Sequence, residues 1–248
     1  GYKPTFQDIN RNGVLPNSPS FDTVGIIARS VDDLALFRSV VLEEGLHPVL
    51  PADVNNLKLA FYPTSNWENA DTSTQEMLES ASAALKDAGA NVTELTLPSE
   101  NDFDRLHKTI AGWEFARTVA WERLNRHDQL SDDLRDGRMQ NGVDTSYDQY
   151  RQATTDLEAL KLKVDAILAG YDAVFCPSAP GEALKGHAYT GSAIFNGLWT
   201  MLGVPAVTLP VQSGPQGLPM GIQLVSARNS DRKLFDVAQS IFLRLKNV

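Results

Sequence analysis

The chain has 248 residues, 42% of them hydrophobic, which suits one large or two small globular domains. Its 31 acidic residues outnumber 22 Lys and Arg, a formal charge of −9 spread along the chain, which argues against nonspecific binding to nucleic acid or anionic membrane. No apolar run approaches the roughly 20 residues of a membrane span, and the single cysteine, Cys176, excludes an internal disulfide and a Cys-rich metal site.

In chain order, residues 1–25 are rich in Gly, Pro, Asn and Ser and predict an ordered loop with short extended pieces. The start, Gly1-Tyr2-Lys3-Pro4, carries no signal-peptide pattern and no Met, so an upstream stretch of chain is expected. Ser30 with Asp32 and Asp33 predicts a helix start, the hydroxyl capping free amides and the acids facing the positive end of the dipole. Leu57–Tyr62 predicts a strand. Ser73-Thr74-Gln75-Glu76 predicts a capping box opening a helix that buries Met77, Leu78, Ala81, Ala84 and Leu85 and stops at Gly89. Val92–Leu97 predicts the next strand, parallel to the first through a crossover. Phe103–His127 reads as helical, with Trp113 and Trp121 as core anchors. Asp132–Ser146 reads as a polar loop, Tyr147–Leu168 as a long helix, and Asp172–Cys176 as a strand closing on Pro177.

The stretch Thr190–Leu202 reads as a short helix with an apolar, aromatic face, stopped by Gly203. Ala206–Leu209 then predicts a buried strand, and a Gly-rich turn leads to a second strand over Met220–Val225. Thr190, Ser192, Asn196 and Thr200 sit among large apolar residues, as small-ligand pockets are often lined; a plain helix–strand connection fits the same pattern. Ser230 or Asn229 predicts the cap of a last helix with Leu234, Val237, Ile241, Phe242 and Leu245 inward.

A search for chemistry finds no catalytic set. His47, His107, His127 and His187 lack metal-ligand spacing and read as solvated or helix-surface residues. No Gly-x-Ser-x-Gly elbow is present, and Gly181–Gly186 is followed by His187-Ala188 where a phosphate loop needs Lys and Ser or Thr. Cys176, inside an apolar run, reads as a small buried hydrophobe.

Several segments, in order, are similar to one family. Gly1-Tyr2-Lys3-Pro4-Thr5 looks like the end of a Gly-Ser-rich signature. Gly13–Pro16, Ser20–Gly25 and Ala28–Asp33 resemble the segment that follows it. Ala83–Ala90 with Val92, then Pro177–Pro180, Asn196–Val207 and Gly217–Leu224, complete the series. Together they resemble the C-terminal part of the amidase signature family, over nearly the whole chain. The resemblance implies an α/β fold with a mixed, largely parallel sheet flanked by helices, and residues 1–248 as the C-terminal portion of a single amidase domain.

It also implies hydrolysis of a carboxamide or related C–N bond, without metal or cofactor, by a Ser nucleophile, a second Ser in a cis peptide and a Lys base. All three precede the position matching Gly1, and Lys3 is the trailing lysine of the signature. No catalytic residue is therefore expected here, and this chain alone is expected to be inactive. The expected substrate-binding residues are Thr190, Gly191, Ser192, Phe195, Asn196 and Trp199, with Cys176 and Ser178 at the strand-end turn. Asp22 and Thr23 are expected to buttress the nucleophile loop.

The expected partners are a small-molecule amide substrate and a missing N-terminal segment of the same protein, with no nucleic acid and no membrane. A homo-oligomer is left open, and a cytoplasmic location is the default. A non-catalytic binding or structural module remains as one alternative, and a protein like the A subunit of glutamine amidotransferases as another. No acid lies between His187 and Gly203, which favours the stand-alone amidase over the amidotransferase type. Apolar surface left uncovered is expected to make the isolated chain associate or dissolve poorly.

Overall fold

A computed structural model describes residues 1–246, the side chain of Asn101 excepted. The chain opens with β1 (Tyr2–Lys3) and a long irregular segment, then α1 (Val31–Val41), where the Ser30 hydroxyl accepts from the Asp33 amide at 3.1 Å as its sequence predicts. β2 (Lys58–Phe61), α2 (Thr72–Asp87) and β3 (Asn91–Glu94) form the expected parallel crossover. α2 starts earlier than its predicted capping box. Asp71 is the N-cap, its amide bonded to the Pro180 carbonyl at 2.7 Å, so a tertiary contact fixes the helix start and Ser73 lies inside the first turn. Gly89, at φ +91°, closes the helix as predicted. β3 ends before Leu97 because the Leu97 amide turns to the Glu100 carboxylate at 3.0 Å.

The predicted helix over residues 103–127 is two: α3 (Phe103–Thr118) and α4 (Ala120–Asn125), broken at Val119 (φ −97°, ψ 29°). Trp121 is exposed rather than a core anchor, and Trp113 is half-buried against Tyr150 and beneath the Arg117 guanidinium. The polar stretch expected to be loop contains a π-helical turn, Asp133–Met139, and α5 (Gln140–Asp144). α6 (Tyr147–Leu168) has the predicted bounds and a capping box between Ser146 and Gln149.

β4 (Ala173–Pro177), α7 (Gly197–Leu202), β5 (Ala206–Ser213), β6 (Pro219–Val225) and α8 (Asp231–Leu245) complete the chain. The helix expected from Thr190 forms only from Gly197. Residues 190–196 are irregular, with Gly191 at φ +92° and the Asn196 side chain held by the Ser178 carbonyl at 3.0 Å. Gly203, at φ +71°, stops α7. Ser230 occupies the N-cap of α8 without a side-chain bond.

The six strands form one mixed sheet in the order β1-β5-β6-β4-β2-β3. Parallel pairing is confined to β3-β2-β4, and β4-β6, β6-β5 and β5-β1 are antiparallel, so the parallel share is smaller than expected. The tight β5–β6 connection imposes antiparallel pairing there, since only a crossover returns a strand in the same direction. Side chains alternate between two cores. Leu59, Phe175, Ile222 and Leu224 face α1, α2 and α8, whereas Ala60, Val174, Cys176 and Val225 face α3, α6 and α7. Among the described residues, no helix is long and apolar enough to cross a membrane. α1 keeps Leu36, Phe37, Val40 and Val41 exposed on the side away from the core.

Candidate functional site

The second face of the sheet carries a cavity of about 360 Å³. Its walls come from residues 17–22, the end of β2, the start of α3, the π-helical turn and the segment 193–200. This volume lies within the range of small-molecule sites.

Each wall is fixed by buried polar bonds. In the loop, Asp22 Oδ2 accepts from the Asn17 and Ser18 amides at 2.6 and 2.9 Å. Behind it, the buried Glu114 of α3 accepts from Ser18 Oγ (2.6 Å), the Ser20 amide (2.9 Å), Ser20 Oγ and Tyr150 Oη (3.1 Å). Four donors on one carboxylate lock the loop that presents Phe21 and Asp22. At the end of β2, Tyr62 Oη donates to Glu100 Oε1 at 3.0 Å, and burial and that carboxylate raise the phenol pKa. Arg138 crosses from the π-helical turn to donate to Asn17 Oδ1 at 2.9 Å.

The segment before α7 forms the floor. Buried Gln223 of β6 donates from Nε2 to the Pro177 carbonyl at 3.2 Å and the Phe195 carbonyl at 3.5 Å, tying this segment to the sheet. A second crevice of about 220 Å³ lies beside it, bordered by Gly1–Lys3, Trp199, Thr208 and Gln223. Asn196 and Thr200 border both spaces and form the partition between them. Lys3 faces the crevice, with Nζ donating to the carbonyls of Pro4 (2.9 Å) and Val204. Burial lowers its pKa to about 8, opposed by the charge of Asp231.

The structure brings some expected site residues together and separates others. Phe195, Asn196 and Asp22 line the main cavity, and Asn196 and Trp199 border the crevice. Trp199 is also a core residue, edge-on to Tyr62 at 5.7 Å, with an indole N–H that finds no oxygen or nitrogen acceptor. Thr190, Gly191, Ser192, Ser178 and Thr23 border neither space. Ser192 Oγ accepts from the Ile194 amide at 3.3 Å, and Ser178 Oγ donates to the Gly221 carbonyl at 3.1 Å. Cys176 lies wholly inside the core, where burial pushes its thiol up to about 12. The buried-hydrophobe expectation therefore describes its surroundings, and it borders neither space.

Sequence reasoning missed Tyr62, Phe103, His107 and Arg138 as lining residues. His107 offered one signal, a polar position between Leu106 and Ile110 on a buried helical face. Among the described residues, no serine hydroxyl is bonded to a Lys or His, and no three or more His, Cys, Asp or Glu form a metal-binding group. The arrangement can hold and orient a small molecule between aromatic walls.

Known proteins give this geometry a context. The family model Amidase matches residues 1–235. The A subunit of glutamyl-tRNA(Gln) amidotransferase from Rickettsia bellii is 25% identical, aligning with 100% of this chain and 59% of its own length. Indoleacetamide hydrolase of Allorhizobium ampelinum is 24% identical, over 97% of this chain and 58% of its own. Among solved structures, an amidase superposes with a TM-score of 0.85 at 24% identity, covering 98% of this chain and 58% of that one. Peptide amidase from Stenotrophomonas maltophilia superposes with a TM-score of 0.75 at 22% identity, covering 99% and 58%. The chain thus spans less than three fifths of the length of these relatives. Matched by the family model over all but its last residues, the chain belongs to the amidase family.

Proposed function

We propose that this chain forms the substrate-binding wall of an enzyme that hydrolyses a C–N bond of a small-molecule amide, with the Ser-Ser-Lys set supplied by a part of the amidase fold outside residues 1–248. The observation that carries this reading is the cavity walled by Phe21, Asp22, Phe195 and Asn196 in a chain matched by the amidase family model. In this reading the acyl group lies between Phe21, Tyr62, Phe103 and Phe195, where aromatic faces exclude water and bury its apolar surface. Asn196, clamped at Ser178, sets the partition against which the scissile carboxamide is oriented. Asp22 and Thr23 keep their buttressing role, which the Asp22 bonds to the Asn17 and Ser18 amides support. The reading invokes no metal and no cofactor and assigns the protein to the cytoplasm.

A second reading, a protein like the A subunit of glutamine amidotransferases, is favoured by the Rickettsia bellii relative. The absence of an acid between His187 and Gly203 weighs against it. One experiment tests the main reading. Joined to a preceding polypeptide that carries the Ser-Ser-Lys set, the chain should release ammonia from primary aryl and alkyl carboxamides, while residues 1–248 alone should not. Phe195→Ala in the joined protein should raise KM. If no amide is hydrolysed, or Phe195→Ala leaves KM unchanged, the reading is wrong.

A further inference from the structure

His107 is the one histidine that lines the main cavity; His47, His127 and His187 are exposed. Its ring stacks on Phe21, with centroids 5.6 Å apart and planes 11° from parallel, so its orientation is fixed by packing. Its Nε2 points toward the first residue of α7, 4.0 Å from where a side chain on Gly197 would begin. Neither ring nitrogen makes a hydrogen bond or ion pair with any described residue. A half-buried imidazole held by stacking and left with both nitrogens unpaired at a cavity wall has unused hydrogen-bonding capacity there.

The surroundings decide what group would use it. Burial first, and then the charge of Arg138, hold the imidazole below its ordinary pKa, against the opposing charge of Asp104 on the same helix. A neutral imidazole offers one donor and one acceptor. The same cavity is bordered by three carboxylates, Asp22, Glu100 and Asp104, against Arg138 alone, so an anionic group meets net repulsion. A neutral group that both donates and accepts avoids this cost, and the flanking rings of Phe21 and Phe103 favour an aromatic carrier.

We propose that His107 is a specificity contact of this cavity, hydrogen-bonding a hydroxyl group on an aromatic acyl portion of the amide. This rests on the reading that the cavity receives the acyl group.

The test compares benzamide with 4-hydroxybenzamide as ligands of residues 1–248, by calorimetry and by the His107 ring resonances. The hydroxylated probe should bind about fivefold tighter, the effect of one net hydrogen bond, and only it should shift the His107 resonances strongly. His107→Phe, which keeps a ring to stack on Phe21, should make the two affinities equal. His107→Gln, which keeps a donor and an acceptor, should restore part of the preference. Equal binding of both probes by the wild type, or a preference that survives His107→Phe, overturns the proposal and leaves the cavity reading standing. Failure of both probes to bind overturns both.

Discussion

The two faces of the sheet are built from opposite choices of side chain, and that contrast explains where the cavity lies. On the face covered by α1, α2 and α8, the strands present Leu59, Phe175, Val207, Leu209, Ile222 and Leu224. On the other they present Ala60, Val174, Cys176, Ala206 and Val225. Large strand residues fill the first layer. Small ones leave room on the second for Trp199, Tyr62, Phe21 and Phe195, whose rings cannot close over the remaining space.

The polar groups of the two faces differ at one point. On the first face, the buried Asp231 carboxylate accepts from Tyr2 Oη (2.6 Å), the Thr5 amide (2.9 Å) and Thr5 Oγ1 (2.6 Å), while Arg38 pairs with Asp8 at 2.6 Å. These groups are saturated. On the second face Glu114 is filled in the same way, but the His107 ring nitrogens at the cavity wall have no partner among the described residues. Hydrogen bonds fulfilled within the protein rigidify it, whereas those left open are available to a ligand.

Substitutions at the saturated groups should act on stability, and those at the open one on binding. Asp231→Ala strips three donors of a buried acceptor and should cost about 3 kcal/mol, lowering Tm by roughly 10 °C in a chain of this size. A loss under about 1 kcal/mol would mean that this network is not a main anchor. Glu114→Ala should cost about 2 kcal/mol and also free the loop bearing Phe21 and Asp22. Benzamide binding should then weaken more than stability falls, as titration alongside denaturant unfolding would show. Equal sensitivity of α8 and the loop in hydrogen exchange would blur the contrast between the faces.

A third prediction concerns pH. The Lys3 amine has a folded pKa of about 8, below the ordinary lysine value. Between these values the unfolded chain binds more protons than the folded one, so stability should rise as pH increases from about 8 toward 10. It loses this contribution on acidification through pH 8. Lys3→Met should flatten the rise, as urea midpoints at pH 7.5, 8.5 and 9.5 would reveal. His107, also held below its ordinary value, should add a smaller rise with pH in the range below 6.5, absent in His107→Phe. The smallest expected change in stability comes from the outer side of α1. Phe37→Glu with Val40→Glu should shift Tm little but reduce self-association in light scattering, because those side chains are exposed. Unchanged association would place the sticky surface elsewhere.

Local signals were legible wherever one helix turn or one strand carried them. Tyr147–Leu168 has its capping box and its buried stripe in adjacent residues, and Gly89 and Gly203 stop helices through their own backbone freedom. The ordered family motifs point to the mixed α/β sheet and to Phe195 and Asn196 as wall residues, while Asp22, expected as a buttress, also lines the cavity. The start of α2 was misplaced because the Pro180 carbonyl, more than a hundred residues away, holds Asp71. Thr190, Gly191 and Ser192, expected at the wall from the family likeness, border neither space, because the lining of this segment begins at Ala193.

The sequence by itself determined the parallel crossover, the long helix Tyr147–Leu168, the glycine stops and the family, because these depend on periodicity and neighbouring residues. Only the tertiary structure decided that His107, Tyr62 and Arg138 meet at one cavity while Cys176 is sealed in the core. Each comes from a different element, and their meeting depends on how layers pack across the sheet, a relation between distant residues that no local pattern encodes.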